Sequence, residues 1–232
     1  MRLSVVLPCF NEAENIAQTI QDVEMWWQHE GIDGEIIVVN DGSTDGSREA
    51  LHDLRHTRPH LKILRHERNQ GYGATLRDGC DAAKEEIIAF MDSDGQFRAK
   101  DFGRLLPHLP RVDFVAGRRT HRADPLPRIL NALLYYWLIR WMLGVAVRDL
   151  NCGMKVFQRS LWRRIRPTHA TGALFNAELF LALREQCIPW VSVPVPHYPR
   201  RFGHPTGGNP TVIFRMFSEL RALRKTRGPR AG

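Results

Sequence analysis

Cysteine is scarce: Cys9, Cys80, Cys152 and Cys187 lie far apart and no two form a CxxC pair. That excludes a zinc ribbon and a disulfide-stapled scaffold, and it predicts a reducing, cytosolic setting. Long apolar runs are missing as well. The longest uncharged apolar stretch, 129–139, is closed off by Arg128 and Arg140, well short of the roughly 20 residues that span a bilayer. The opening run LSVVLP meets Pro8 and then Glu12, too early for a secretory leader. There is no Walker A lysine loop, and no glycine fingerprint follows the first apolar run; the glycines at 71 and 73 stand in the wrong place for a dinucleotide fold. P-loop and NAD chemistry are set aside on those grounds.

Acidic residues thin out after the first hundred. Residues 1–100 hold 11 Lys and Arg against 18 Asp and Glu, a net of −7, while 101–232 hold 22 against 7, a net of +15. The first half suits a metal and the second suits an anion, be it nucleic acid, a phosphorylated small molecule or an anionic membrane surface. Basic–aromatic RNA-binding motifs are absent, so no nucleic-acid partner is expected.

The 232 residues suit one large α/β domain. Apolar runs at 4–7, 35–39, 61–64 and 87–91 are continuous rather than alternating. Helical segments are expected at about 12–27, from about 45, and at about 74–84. Continuous strands, each followed by a helix, predict a mostly parallel sheet covered on both faces. Ligands in such folds bind beyond the carboxyl ends of the strands. Polar, turn-forming residues follow every one of the four runs: Pro8-Cys9-Phe10-Asn11-Glu12, Asn40-Asp41-Gly42-Ser43-Thr44-Asp45, Asn69-Gln70-Gly71-Tyr72-Gly73 and Asp92-Ser93-Asp94-Gly95-Gln96.

Asp92 and Asp94 carry the sharpest chemistry. Hard cations such as Mg²⁺ or Mn²⁺ take oxygen ligands, usually one or two carboxylates plus substrate phosphates. The competing reading of the same residues is a turn capped by Asp side chains. Asp41 is the candidate ligand contact of the second loop, to a base or ribose, whereas Asp45 and Gly42 read as a helix cap and a tight turn. His52, His56 and His60 read as surface histidines, and Cys152 as a packing residue rather than a nucleophile.

The segments LSVVLPCFNEAENI, EIIVVNDGSTDGS, NQGYGATLRDG and IIAFMDSDGQF, followed by VAGRRTHRADPLPR, RDLNCGMKVF and VPHYPRRFGHPTG, together resemble the family 2 glycosyltransferases. The resemblance covers nearly the whole chain and runs closest to the dolichyl- and polyprenyl-phosphate sugar synthases. It implies a single A-type glycosyltransferase domain with a Rossmann-like nucleotide-binding half at 1–97, an acceptor-binding half at 98–208 and a basic C-terminal helix or tail at 209–232. It implies transfer, with inversion, from a UDP- or GDP-sugar to a polyprenyl phosphate, or else to a hydroxyl of a glycan or small molecule, with Mg²⁺ or Mn²⁺ as cofactor. Pro8, Phe10, Asn11, Glu12, Asp41 and Gly71 would frame the nucleotide. Asp92, Asp94 and Gln96 would hold the metal and donor diphosphate, Arg201 would close over that diphosphate, and Arg119 and Arg128 would meet the acceptor phosphate. Asp149 and Glu178 remain as bases should the acceptor be a hydroxyl, which needs one, whereas a phosphate does not. Two departures from the family pattern stand out: Asn40-Asp41 replaces the commoner pair of aspartates, and the C-terminal arginine loop offers only Thr206 as a hydroxyl.

Residues 128–143 place Leu130, Leu134, Trp137, Leu138 and Trp141 on one apolar arc of a helix. Such an arc, with flanking arginines, suits a helix in the headgroup layer at the inner face of the membrane, a core helix, or a homodimer interface. The tail arginines, Arg215 to Arg230, add attraction to anionic lipid or simply end a helix.

Overall fold

A computed structural model describes residues 1–120, 126–172, 174–200, 202, 216 and 218–223; for 126–131 it describes the backbone alone. The described residues fold around one seven-stranded sheet. Strands β1 (Arg2–Cys9), β2 (Asp33–Asp41), β3 (Leu61–His66) and β4 (Ile87–Phe90) are the four apolar runs of the first half. Strands β5 (Phe114–Thr120), β6 (Lys155–Gln158) and β7 (Trp190–Pro196) come from the second half, and the sheet order is β3-β2-β1-β4-β6-β5-β7. Pairing is parallel throughout except where β6 runs antiparallel between β4 and β5.

Side chains alternate across the pleat, and here both faces are buried. Val6, Ile37, Val39, Ile88 and Phe90 enter one core, beneath helices α3 (Tyr72–Ala82) and α7 (Phe175–Glu185). Val5, Leu7, Ile36, Val38 and Ala89 enter the other, beneath α1 (Ala13–Glu30). Helix α1 places Ile16, Ile20, Val23 and Trp27 on that core at i, i+4, i+7 and i+11 and ends on Gly31 in the left-handed conformation. Helix α2 (Ser47–His56) joins β2 to β3, α4 (Phe102–Leu105) precedes β5, and α6 (Arg159–Ile165) follows β6.

Helix α5 (Leu126–Leu143) is the element expected from the tryptophan-rich run. Its apolar residues divide between two sides rather than forming one arc. Ile139 and Leu143 are buried and Leu138 packs partly against the core, while Leu133, Leu134, Trp137 and Trp141 are 52–72% exposed. No helix among the described residues is long and apolar enough to cross a membrane.

The chain winds from β1 outward to β3, then returns to place β4 on the other side of β1. Between β1 and β4 the following loops diverge, and a crevice opens there by topology alone. The loops at 10–12 and 92–96 form its two lips.

Candidate active site

Each lip is held by hydrogen bonds that begin in the sequence motifs. Asn11 adopts a positive φ of 56°, and its side-chain oxygen accepts the Thr44 amide at 2.8 Å while its own amide donates to Ser43 Oγ at 3.0 Å. The Glu12 amide donates to Ser47 Oγ at 2.9 Å. The loops after β1 and β2 are thus stapled together, with Pro8, Phe10 and Glu12 half-buried along the crevice. Asp45 stands one residue before the N-cap of α2, which is Gly46, and its carboxylate accepts the Ser47 amide at 2.9 Å and the Ala13 amide at 3.1 Å.

Asp41 has a different duty from the one its position suggested. Its oxygens accept the amides of Gln70 and Gly71, both at 2.8 Å, and face His66 Nδ1 at 2.6 Å. It is buried and holds the glycine loop at the start of α3, so both oxygens are already committed. Gly42, just beyond, has φ 67°, and a Cβ there would strike the Arg68–Asn69 backbone, which explains the glycine.

Asp92 and Asp94 differ in setting. Asp92 accepts the Tyr72 hydroxyl at 2.8 Å and lies against Gly153, where an added Cβ would overlap its carboxylate. Burial, reinforced by the charge of Asp94, pushes Asp92 up to about 6. Behind it Lys155 is fully buried, its ammonium donating to Cys152 O at 2.6 Å and lying 5.2 Å from the centre of the Phe90 ring. Burial brings Lys155 down to about 8 and pushes the neighbouring Cys152 thiol up to about 12, in keeping with a packing cysteine.

Asp94 faces the crevice. Oδ1 accepts the Gln96 amide at 3.0 Å, and Oδ2 accepts Arg200 Nη2 at 2.6 Å. Arg200 also reaches Glu12 Oε1 at 3.3 Å, so one guanidinium spans the two lips. Burial raises the Glu12 carboxyl above its ordinary value, with the Asn15 and Arg200 contacts opposing that rise. The segment carrying Arg200 is laced to the acidic loop: the Tyr198 amide donates to Gln96 O at 3.0 Å, and Gln96 Nε2 donates to Tyr198 O at 3.2 Å. The Gln96 side chain, expected near a metal, therefore ties down this strap.

In the second half of the chain, Arg119 and Asp149 turn toward each other. Asp149 Oδ2 accepts the Arg119 amide at 2.7 Å and its Nε at 2.9 Å, while Oδ1 takes Nη2, and Asp149 holds a positive φ of 54° to do so. Glu178 is buried and accepts the amides of Thr168 and Ala170 at 2.9 and 2.8 Å. Burial opposes its charge, but those amides and the His169 contacts together hold the carboxyl below its usual range. Both candidate bases are thus committed to holding structure. Arg201 and Thr206 lie outside the described residues, as does the side chain of Arg128.

Sequence reasoning missed Arg200, Tyr72 and His66. Tyr72 stands inside the NQGYGATLRDG motif, and Arg200 stands beside Arg201.

Among the described residues no three His, Cys, Asp or Glu side chains cluster as a metal cage. The family model of glycosyl transferase family 2 matches residues 4–182. The chain belongs to glycosyl transferase family 2. A dolichyl-phosphate beta-glucosyltransferase from Trichomonas vaginalis is 27% identical over 210 residues, 82% of this chain and 62% of its own. A dodecaprenyl-phosphate galacturonate synthase from Rhizobium johnstonii is 30% identical over 178 residues, 72% of this chain and 50% of its own. The chain spans about half to two thirds of the length of these relatives. Glucosyl-3-phosphoglycerate synthase from Mycobacterium tuberculosis, solved with Mn²⁺, UDP and glucosyl-3-phosphoglycerate, superposes with a TM-score of 0.70 over 100% of this chain and 82% of that one, at 20% identity. That is a likeness of fold.

Proposed function

We propose that this family 2 chain transfers a sugar from a UDP- or GDP-sugar to a polyprenyl or dolichyl phosphate at a membrane surface, with Mg²⁺ or Mn²⁺ as cofactor. The observation that carries the donor half is Asp94, whose outward oxygen already takes a cationic partner at 2.6 Å between the lips of the crevice. A hard, anionic oxygen there fits a divalent ion, with Asp92 behind it as the second carboxylate. When bound, the ion offsets the charge that develops on the departing diphosphate.

Pro8, Phe10, Asn11 and Glu12 line the nucleotide end. Asp41 acts from behind, by fixing the glycine loop at Gly71. An oxygen of the acceptor phosphate forms the new bond to the anomeric carbon as the bond to the diphosphate oxygen breaks, which inverts that centre and releases the nucleoside diphosphate. Arg119, oriented by Asp149, and Arg128 position the acceptor, and Arg201 closes on the diphosphate. A phosphate acceptor is favoured over a hydroxyl because Asp149 and Glu178 have their oxygens engaged, and a phosphate needs no base. Relatives named for dolichyl-, dodecaprenyl- and undecaprenyl-phosphate transfer support the same acceptor class.

The outward side of α5, with Trp137 and Trp141 exposed and Arg140 over the Trp137 ring at 5.4 Å, suits contact with the headgroup layer. Radiolabelled UDP- and GDP-sugars with Mn²⁺, assayed with and without polyprenyl phosphate, test the proposal. Label should reach the organic phase only when the lipid phosphate is present, and Asp94→Ala should lower the rate by about 10³-fold with the fold intact. Label transferred equally well to a glycan hydroxyl, or a wild-type rate in Asp94→Ala, would overturn it.

A further inference from the structure

Arg200 has no assigned role in the proposal above, yet its guanidinium contacts both lips of the crevice. Its Nη2 lies 2.6 Å from Asp94 Oδ2 and its Nη1 3.3 Å from Glu12 Oε1. Its Nε is buried and, among the described residues, has no hydrogen-bond partner. Without a cation, two carboxylates on facing lips repel each other at low local dielectric. The guanidinium relieves that repulsion. Its delivery is built in, because the strap and the acidic loop hold each other through the reciprocal Tyr198 and Gln96 bonds.

A divalent ion sits about 2.1 Å from its oxygen ligands and is small and doubly charged. A guanidinium at 2.6 Å from Oδ2 takes the same crevice-facing oxygen, so ion and arginine compete for it. We infer that Arg200 is the built-in counter-cation of the crevice: it holds Asp94 and Glu12 before loading, yields Asp94 to the metal, and then turns its donors to the diphosphate of the incoming nucleotide. This rests on the reading that Asp94 holds the ion. The orphaned Nε is the donor that a diphosphate oxygen would satisfy. Loading of metal and nucleotide are thereby coupled, since the ion displaces the group the nucleotide uses.

Mn²⁺ binding, followed by loss of the free-ion signal in electron paramagnetic resonance, tests this on the full chain with and without saturating UDP, and GDP in a parallel series. Without nucleotide, Arg200→Ala should bind Mn²⁺ about three- to tenfold more tightly, the competing ion pair being partly exposed and so worth little more than that. With the nucleoside diphosphate the order should reverse, the variant binding more weakly than wild type. Should Arg200→Ala fail to fold by circular dichroism, Arg200→Lys carries the test with the same signs and smaller changes. Asp94→Asn separates the two ideas. If it binds Mn²⁺ like wild type, the metal reading fails and the inference with it. If it loses Mn²⁺ while the Arg200 variants bind as wild type without nucleotide, the metal reading stands and the inference is overturned. Equal tightening in both arms overturns the hand-over to the diphosphate.

Discussion

Gly153→Ala isolates one contact of the acidic pair. Gly153 has no positive φ, so alanine meets no backbone penalty there. What it meets is Asp92. An added Cβ overlaps Oδ2 and Cγ outright and stands 2.7 Å from Oδ1, where ordinary contact begins at 3.4 Å. All three carboxyl atoms are blocked, so rotating the group gives no relief and the carboxylate must retreat by about 1 Å, a figure at which catalytic geometry typically loses on the order of 10²-fold in rate. The retreat also stretches the 2.8 Å bond from Tyr72. Overpacking of this kind costs about 1–3 kcal/mol of stability, or roughly 2–10 °C in melting temperature for a chain this size. Transfer assays beside thermal melts of the same preparation read both effects. Wild-type turnover and melting in Gly153→Ala would refute the idea that Asp92 is clamped against Gly153.

Three further outcomes follow from the geometry. Lys155 is held by burial from its ordinary 10.5 down to about 8. Between those pH values the unfolded chain binds a proton that the native chain lacks, so the Lys155 contribution to stability should rise with pH across that window by up to about 3 kcal/mol; buried thiols such as Cys152, pushed up to about 12, pull the other way above pH 9 in both proteins, so the expected outcome is that wild type gains on Lys155→Met between denaturant melts at pH 7.5 and pH 10. Asp149→Asn should weaken acceptor use roughly tenfold through Arg119 while leaving the pH–rate profile in place, whereas loss of the acidic limb of that profile would make Asp149 a base. Exchanging Trp137 and Trp141 for serine should lower cosedimentation with anionic lipid vesicles by about tenfold per tryptophan, and unchanged cosedimentation would remove α5 from the membrane reading.

The first four strands were legible because the sheet is covered on both faces, which turns each strand into an unbroken apolar run such as Ile36–Val39. The switch point then follows from chain order, and with it the placing of Glu12 and Asp94 on facing lips. The second half resists the same reading. β6 is four residues long and opens with a buried lysine, which no apolar pattern announces. Helix α5 is apolar toward the core and toward the outside at once, so a helical wheel cannot tell which tryptophan is exposed. Arg200 and Arg201 are neighbours in sequence, and composition alone cannot say which of them meets the acidic loop; the pairing of Tyr198 with Gln96 brings Arg200 onto Asp94. Asp41, Asp149 and Glu178 show the other limit: sequence finds a carboxylate and cannot see whether its oxygens are already taken.

In the proposed function, the oxygen of Asp94 now held by Arg200 is where a divalent ion would meet the donor diphosphate. An anomalous difference map at the manganese edge, from crystals grown with Mn²⁺ and UDP or GDP, addresses it directly. A single strong peak beside Asp94 Oδ2 and next to the diphosphate is expected, with the Arg200 guanidinium moved off that oxygen. A peak elsewhere, or a bound nucleotide with Arg200 still seated on Asp94, would contradict it.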